Sequence, residues 1–395
     1  MGLHLMSLTT SGGLPLFTRK IGAVELLPFS TMASLNGVHM FCKSQGCNLK
    51  NVFTEDTTVV WKIMEESITL IAVGVCTQED ILNELLEYAF SALVMIVGLE
   101  EIKTPRSTER LKRDLRISYP LLNRLMECID LGNQSMGCSD ILSLVQVIFT
   151  PENALLLNCL EVWTDVISSQ FGCVIVENCI AAATPAWWEL DPQERKLLQL
   201  LITSSNGLTA TDIPVFLPQK SPTVPFRLVS CMLVSGVWVS ALCGPAPNLT
   251  QIERLTAECW KHVTEVLKSV CSVLPRNFPQ SLTLQQGIIG FLLINIPLAK
   301  HVMSNTVTNN KKESRSHGDV LRTFYYESAK LLHAQDREHT ALETYWCSEF
   351  HKVYAIRMGD DIICVLFSSN IPTPSLRIIT KETYSLLTSD KHFCW

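Results

Sequence analysis

Charge is scarce in this sequence. Of 395 residues only 18% are Asp, Glu, Lys or Arg, and the balance is acidic, with a formal net charge of -6. A chain with so little charge and 47% apolar residues must be mostly folded, with material for several packed cores. An acidic balance lacks the basic footprint of broad nucleic-acid binding, so no nucleic-acid partner is expected. CxxC pairs are also missing, although fifteen cysteines are present. Their number is odd and their spacing irregular, as in Cys42/Cys47 and Cys173/Cys179. Several, including Cys76, Cys231, Cys243 and Cys364, sit inside apolar runs where cysteine behaves as a small hydrophobe. Reduced thiols in a cytosolic protein are expected, not a secreted disulfide framework.

Targeting signals are wanting too. No basic stretch precedes an apolar run at the N-terminus, so no signal peptide is expected. The chain opens Met1-Gly2, but Met6 stands where myristoylation wants Ser or Thr, and Cys394 is misplaced for a prenylation box. Residues 228–251 carry no charge and have the length of a membrane span. They hold Gly236, Gly244, Pro245 and Pro247, however, and read as two buried strands turning at Ser235-Gly236. No transmembrane segment is expected.

Catalytic motifs are missing. There is no GxxxxGK[ST] phosphate loop, no GxGxxG, HExxH or GxSxG, and no kinase set. His333 and His339 flank a polar stretch without a cysteine or histidine partner at zinc spacing. No thiol is marked as a nucleophile by its sequence neighbours. No catalytic residue, metal or cofactor is expected, and the chain is read as a non-enzyme. An unrecognised enzyme ranks behind the interaction readings, because no nucleophile–base pair is visible.

What is present is a recurring order of elements. Residues 3–9 and 14–19 read as a hairpin around Ser11-Gly12-Gly13. A helix follows over about 28–41, then strands at 51–54, 57–63 and 67–75. Thr77-Gln78-Glu79-Asp80 resembles a helix N-cap with acidic residues in the first turn, and an apolar stripe with helical spacing runs to Val97. A second, amphipathic helix is predicted over about 105–129, completing the order ββαβββαα. The order returns: a helix opening at Thr150-Pro151-Glu152, with Pro at its first position, and running to about Ser169; a hairpin of 171–177 and 178–184; a helix after Asp191-Pro192; strands at 213–217, 226–234 and 237–243; and a helix over 249–273. It returns again with strands at 287–296 and 298–307, a loop at 309–315, a helix over 319–333, strands at 342–347, 352–358 and 361–367, and a helix over 374–387. Three domains of similar size suit the length.

Two features stand out from this frame. Lys103, Arg106, Arg110, Lys112, Arg113 and Arg116 crowd into fourteen residues of an acidic protein. They read as a solvated helix face stitched by pairs such as Glu109–Arg113, or as a contact for an anionic surface. Trp187-Trp188 cannot both face one side of a regular element. Core packing of both at a strand-to-helix turn is the plain reading, with exposure of one as the other.

Particular strings carry a resemblance. Pro28-Phe29-Ser30, Ser34-Leu35-Asn36-Gly37-Val38-His39-Met40-Phe41, Thr57-Thr58-Val59-Val60-Trp61-Lys62, Ser67-Ile68-Thr69-Leu70-Ile71, Val97-Gly98-Leu99-Glu100-Glu101 and Glu109-Arg110-Leu111-Lys112-Arg113-Asp114-Leu115-Arg116 resemble the Fuzzy-type planar cell polarity effectors, a triple-longin family. Trp187-Trp188, Pro214-Val215-Phe216-Leu217-Pro218, Ser221-Pro222-Thr223-Val224-Pro225 and Leu242-Cys243-Gly244-Pro245 extend the resemblance to about residue 245; beyond it only element order agrees.

The resemblance implies an α/β fold of α+β layered type. It has three consecutive longin-type domains, each a five-stranded, mainly antiparallel sheet covered by helices, over residues 1–132, 133–275 and 276–395. It further implies a non-catalytic subunit of a ciliogenesis and planar cell polarity complex, cytoplasmic at the basal body. Its partners would be an Inturned-like longin protein, a WD-repeat planar cell polarity effector and a Rab small GTPase, with a phosphoinositide membrane surface as a further contact. On the analogy of paired longin sheets, Leu35, Asn36, His39 and Met40, with Phe17 on the second strand, are the expected partner contacts. The alternative is a trafficking scaffold that binds partners and phosphoinositide membranes without stimulating nucleotide exchange.

Overall fold

The computed structural model describes residues 2–22, 24–129, 140–204, 208–304, 317–333, 342–389 and 395. The polar run 309–315 and His339 lie outside them. The chain divides into two compact units, one of residues 1–137, 196–206 and 213–227, the other of residues 138–195, 207–212 and 228–395.

The first sheet belongs to the first unit. It is made by β1 (Gly2–Thr9), β2 (Pro15–Gly22), β3 (Asn51–Phe53), β4 (Thr57–Met64) and β5 (Ile68–Val75), with α1 (Phe29–Ser44) between the second and third strands. The order is β2-β1-β5-β4-β3, with antiparallel pairing throughout. β1 and β5 hold the centre because each offers seven consecutive residues that bury well, as a strand covered on both faces requires. β4 turns into β5 through Glu65 and Glu66, both at positive φ (50° and 54°). Asn or Gly would adopt this region at lower cost.

α2 (Glu79–Val97) buries Leu82, Leu85, Leu86, Ala89, Ala92 and Leu93 completely. Its cap residue is Gln78, without a side-chain bond. Thr77, expected to help start the helix, donates its hydroxyl to the Val75 carbonyl instead. A short α3 (Leu99–Lys103) follows, and the long helix predicted over 105–129 is broken into α4 (Thr108–Leu115) and α5 (Tyr119–Glu127), with a 3-10 turn at Arg116–Ser118. The cause is proline. Pro105 falls in the connection ahead of the Ser107 cap, and Pro120 has no N–H to bond back to Arg116, so the chain tightens and restarts with Pro in the first turn.

The second set comprises β6 (Val145–Gln146), α6 (Asn153–Val166), β7 (Phe171–Val176), β8 (Cys179–Ala183), α7 (Pro185–Trp188), α8 (Pro192–Ser204), β9 (Ala210–Leu217), β10 (Ser221–Val234), β11 (Val237–Cys243), α9 (Leu249–Trp260) and α10 (Thr264–Cys271). Its sheet runs β8-β7-β11-β10-β9. The uncharged stretch 228–251 supplies β10, β11 and the first residues of α9, as the turn at Ser235-Gly236 predicts. Pro151 precedes the helix rather than opening it: α6 begins at Asn153, and the Thr150 hydroxyl accepts from Glu152 N–H at 3.3 Å. The helix predicted over 249–273 is interrupted by a 3-10 turn at Lys261–Val263. Trp163 and Trp260 anchor this core, and the Trp163 indole donates to Thr256 Oγ1 at 2.9 Å. Of the paired tryptophans, Trp187 is fully buried; Trp188 is half-buried beside the Arg195 and Lys300 cations.

The third set is β12 (Ile288–Asn295), β13 (Lys300–Met303), α11 (His317–Glu327), β14 (Glu343–Cys347), β15 (His351–Met358), β16 (Asp361–Ser368) and α12 (Leu376–Thr388). Five strands were expected, but the sheet has six, in the order β14-β15-β16-β12-β13-β6. β6 joins in parallel, Lys300 opposite Val145 and His301 opposite Gln146. Val147 N–H then donates to His301 O at 2.8 Å and Ile148 N–H to Ile180 O at 3.1 Å. One short segment thus satisfies backbone groups on the outer edges of β13 and β8, which would otherwise be open pairing templates. With β6 set aside, all three sheets share one permutation: the first and fifth strands of each are adjacent and the third is at an edge.

Candidate interaction surface

Each sheet has a helix between its second and third strands, and the three differ in burial. α8 buries Leu197, Leu198, Leu200, Leu201 and Ile202; α11 buries Leu321, Phe324, Tyr325 and Tyr326. In α1 the buried residue is His39. Helical spacing places Met32, Leu35 and His39 on one stripe, and Met32 and Leu35 pack on a sheet face made of Met6, Leu8, Val59, Trp61, Ile71 and Val73. The other half of the helix carries Phe29, Val38 and Phe41, which stay 68%, 50% and 65% exposed, with Met40 also exposed. The edge strand β3 adds exposed Val52, which pairs with Val59 on the α1 side of the sheet; Phe53, also exposed, pairs with Thr58 on the other side. Large aromatics left in water beside an open strand edge are what a docking face looks like before its partner arrives.

The residues expected to touch a partner are distributed unevenly over this region. Leu35 is half-buried on the sheet, and His39 lies beneath the helix with neither ring nitrogen hydrogen-bonded. Asn36 fills the space over the hairpin turn, where a Cβ on Gly13 would come within 2.0 Å of its amide nitrogen. Met40 faces water. Phe17 is buried on the opposite side of the sheet, with its ring 6.0 Å from that of Tyr119 in α5. Phe17 and the α1 residues therefore do not share a surface. Phe29, Val38 and Phe41 form the exposed set, and the sequence carried a usable signal for it: Val38, Met40 and Phe41 cannot join Met32, Leu35 and His39 on one helical face.

Electrostatics under α1 suit a neutral layer. Burial, with Lys43 nearby, lowers the pKa of His39; burial, with Lys20 nearby, does the same for His4, which lies on the same sheet face as Met6. Among the described residues no group of His, Cys, Asp and Glu could hold a metal ion. A cavity of about 340 Å³ in the second unit, lined by Cys231, Thr256, Trp260 and Lys261 among others, has no histidine in its wall.

The cationic segment is largely paired. Lys103 bonds Glu65 at 2.9 Å, Lys112 bonds Glu109 at 3.3 Å, and Arg110 and Arg113 both reach Asp114 at 3.6 Å. Glu109 thus serves Lys112 rather than Arg113, which reaches Asp114. Arg106 and Arg116 are exposed and have no ion-pair partner among the described residues, and Ile117, next to Arg116 in the chain, is 68% exposed. No described helix is long and apolar enough to cross a membrane.

Three helix-covered sheets with one shared strand order define a chain of three longin domains. Family models for the first, second and third "Longin domain of FUZ, MON1 and HPS1" match residues 3–125, 167–261 and 287–391. The chain is 35% identical to "Protein fuzzy homolog" of Xenopus tropicalis over 419 residues, covering 99% of each, and 33% identical to the Homo sapiens protein of that name over 412 residues, covering 98% of this chain and 97% of that one. It belongs to the Fuzzy family. Solved structures give little more: a homology model of the full-length AP-3 complex matches at TM-score 0.25 and 8% identity, over 96% of this chain and 86% of that chain, too slight to carry an argument.

Proposed function

We propose that this chain is a non-catalytic subunit of a ciliogenesis and planar cell polarity effector complex, pairing with an Inturned-like longin protein to act as a guanine nucleotide exchange factor for a Rab small GTPase. The observation that carries this reading is the uncovered outer half of α1, with exposed Val52 on the α1 side of the edge strand β3, while the corresponding helices α8 and α11 are buried. The first longin domain is then the one that meets the partner. Leu35 and Asn36 set the helix on its sheet, His39 lies beneath it, and Met40, Val38, Phe29 and Phe41 offer the contact. The proposed domain limits are 1–132, 133–275 and 276–395, each enclosing one family-model match.

An exchange factor makes and breaks no covalent bond, so an absence of acid–base constellations costs it nothing. It binds the nucleotide-free GTPase more tightly than the loaded one, and by reciprocity weakens nucleotide binding. Loosening nucleotide ten-thousand-fold takes about 5.5 kcal/mol of differential binding, which an interface of about 1,600 Å² can supply through packing alone.

A second reading is a trafficking scaffold that contacts phosphoinositide membranes through Arg106 and Arg116, with Ile117 next to Arg116 in the chain. Nucleotide release from candidate Rab proteins, measured with this chain alone and co-purified with an Inturned-like partner, separates the two. Acceleration by the pair supports exchange activity; release unchanged in both conditions overturns it and leaves the scaffold.

A further inference from the structure

The end of α1 brings two thiols together. The helix stops at Gln45, and Gly46 follows in the left-handed region at φ +74°. Gly46 N–H donates to Lys43 O at 3.0 Å and Cys47 N–H to Cys42 O at 2.9 Å. These two bonds define a Schellman cap, in which the last-turn residue that accepts the longer-range bond and the residue that donates it become side-chain neighbours. Here both positions are cysteine.

The bond sets a limit on the geometry. With ordinary backbone lengths around a 2.9 Å N···O contact, the Cα atoms of Cys42 and Cys47 lie no more than about 6.8 Å apart, within the range that disulfides span. Both sulfurs are reachable: Cys42 is half-buried and Cys47 exposed. The Cys47 thiol is aimed back over the cap, 3.8 Å from Gln45 O. No acidic residue occurs in the sequence between Glu25 and Glu55. By contrast, Cys173 and Cys364 are fully buried in sheets, where burial pushes their thiols far up.

We propose that Cys42 and Cys47 are a peroxide-responsive dithiol that closes to an intramolecular disulfide across the end of α1. The exposed Cys47 sulfur attacks one oxygen of hydrogen peroxide. The O–O bond breaks, one oxygen leaves as water, and a sulfenic acid remains on Cys47. The Cys42 sulfur then displaces that hydroxyl as a second water and forms the S–S bond. In sum two thiols and one peroxide give one disulfide and two waters; the sulfur pair loses two electrons and the peroxide gains them. Closure fixes the turn next to Phe41, and a thiol reductant reopens it.

The test uses the full chain, reduced, exposed to stoichiometric hydrogen peroxide, blocked with N-ethylmaleimide and digested with trypsin. Cleavage after Lys20, Lys43 and Lys50 leaves Cys42 in the peptide 21–43 and Cys47 in the peptide 44–50. The expected product is these two peptides joined by a reductant-sensitive link, as the main cysteine modification. Replacing Gly46→Val, which strains the left-handed position, is expected to lower the yield of that link several-fold at the same peroxide dose. Recovery of both peptides unlinked, or of Cys47 joined to the peptide that carries Cys76, overturns the proposal. So does equal yield in the Gly46→Val chain, because the cap would then not be what brings the sulfurs together.

Discussion

Replacing Phe41→Ser removes a large ring from the outer half of α1 and nothing from the core beneath it. Phe41 keeps 65% of its surface in water; for a phenylalanine that is about 130 Å² of apolar area. Covering it with a partner at about 25 cal/mol per Å² is worth about 3 kcal/mol, or about a hundredfold in Kd. Interfaces return less than their area suggests, so a ten- to hundredfold weakening is the expected range. The isolated chain should lose no more than about 0.5 kcal/mol of stability, since an exposed helical position has little to lose.

The comparison variant is Phe17→Ala. Phe17 is buried against Tyr119 on the other face of the same sheet, and truncating it should cost about 3–5 kcal/mol of folding stability through the cavity it leaves. Affinity for a co-purified Inturned-like partner is measured by titration, and stability by urea unfolding, on both variants. If Phe41→Ser binds as tightly as the parent, or loses affinity only as far as it loses stability, α1 is not the docking face.

Three smaller perturbations test the packing. Gly172→Ala would place a Cβ 2.4 Å from Thr164 Cγ2, which should destabilise the second unit by about 1–3 kcal/mol. Thr164→Ser removes that methyl while keeping a hydroxyl able to bond Glu161 O, so the double variant should recover most of the loss in urea unfolding. Glu66→Gly relieves a positive φ of 54° in the β4–β5 turn and should raise the urea midpoint by an amount corresponding to about 1 kcal/mol. His333 contributes a pH dependence: burial first, then Lys330 and Arg357, lower its pKa to about 4. Its folded pKa lies below the unfolded value of 6.5, so its effect on stability is constant above that pH. As pH falls below it the unfolded chain takes up the proton first, and stability drops until about pH 4. Allowing for partial exposure, the loss by pH 5 is about 1 kcal/mol, and His333→Gln should flatten the profile between pH 7.5 and 5.

The strands were legible because each carries its own period or apolar run. Thr57 to Met64 is dense in β-branched and aromatic side chains, and its position between two edge-marking turns leaves no competing assignment. Helix interruptions were harder to read. The amphipathic pattern continues straight through Arg116 and Pro120, and only the missing N–H of Pro120 breaks it, so periodicity and proline chemistry gave opposite instructions and proline won. The sixth strand of the third sheet was invisible for another reason. Val145 and Gln146 form two residues of strand whose partner is Lys300–His301, more than 150 positions away, and nothing local announces such a pairing. For the proposed surface, the sequence pointed to α1 and, of its outward residues, to Met40 alone. Leu35 and His39 look as available as Phe41 until the sheet beneath them is known.

The three copies of one strand order make the exposure of α1 informative in itself. A helix at this place in the fold can be buried: α8 does so with five consecutive-turn aliphatics, and α11 with Leu321, Phe324, Tyr325 and Tyr326. An apolar residue that gains nothing from folding is ordinarily replaced by a polar one at no cost to the core, yet Phe29, Val38 and Phe41 stand in water together on one helix. Two explanations are physically open: a bound partner, or covering by residues of this chain. The second requires a segment long enough to reach across the helix and apolar enough to stay. The proposed partner brings its own apolar surface and needs no such segment. It also carries a consequence that can be measured: co-expression with that partner should raise the yield of parent chain far more than it raises the yield of Phe41→Ser, whose surface no longer needs the cover.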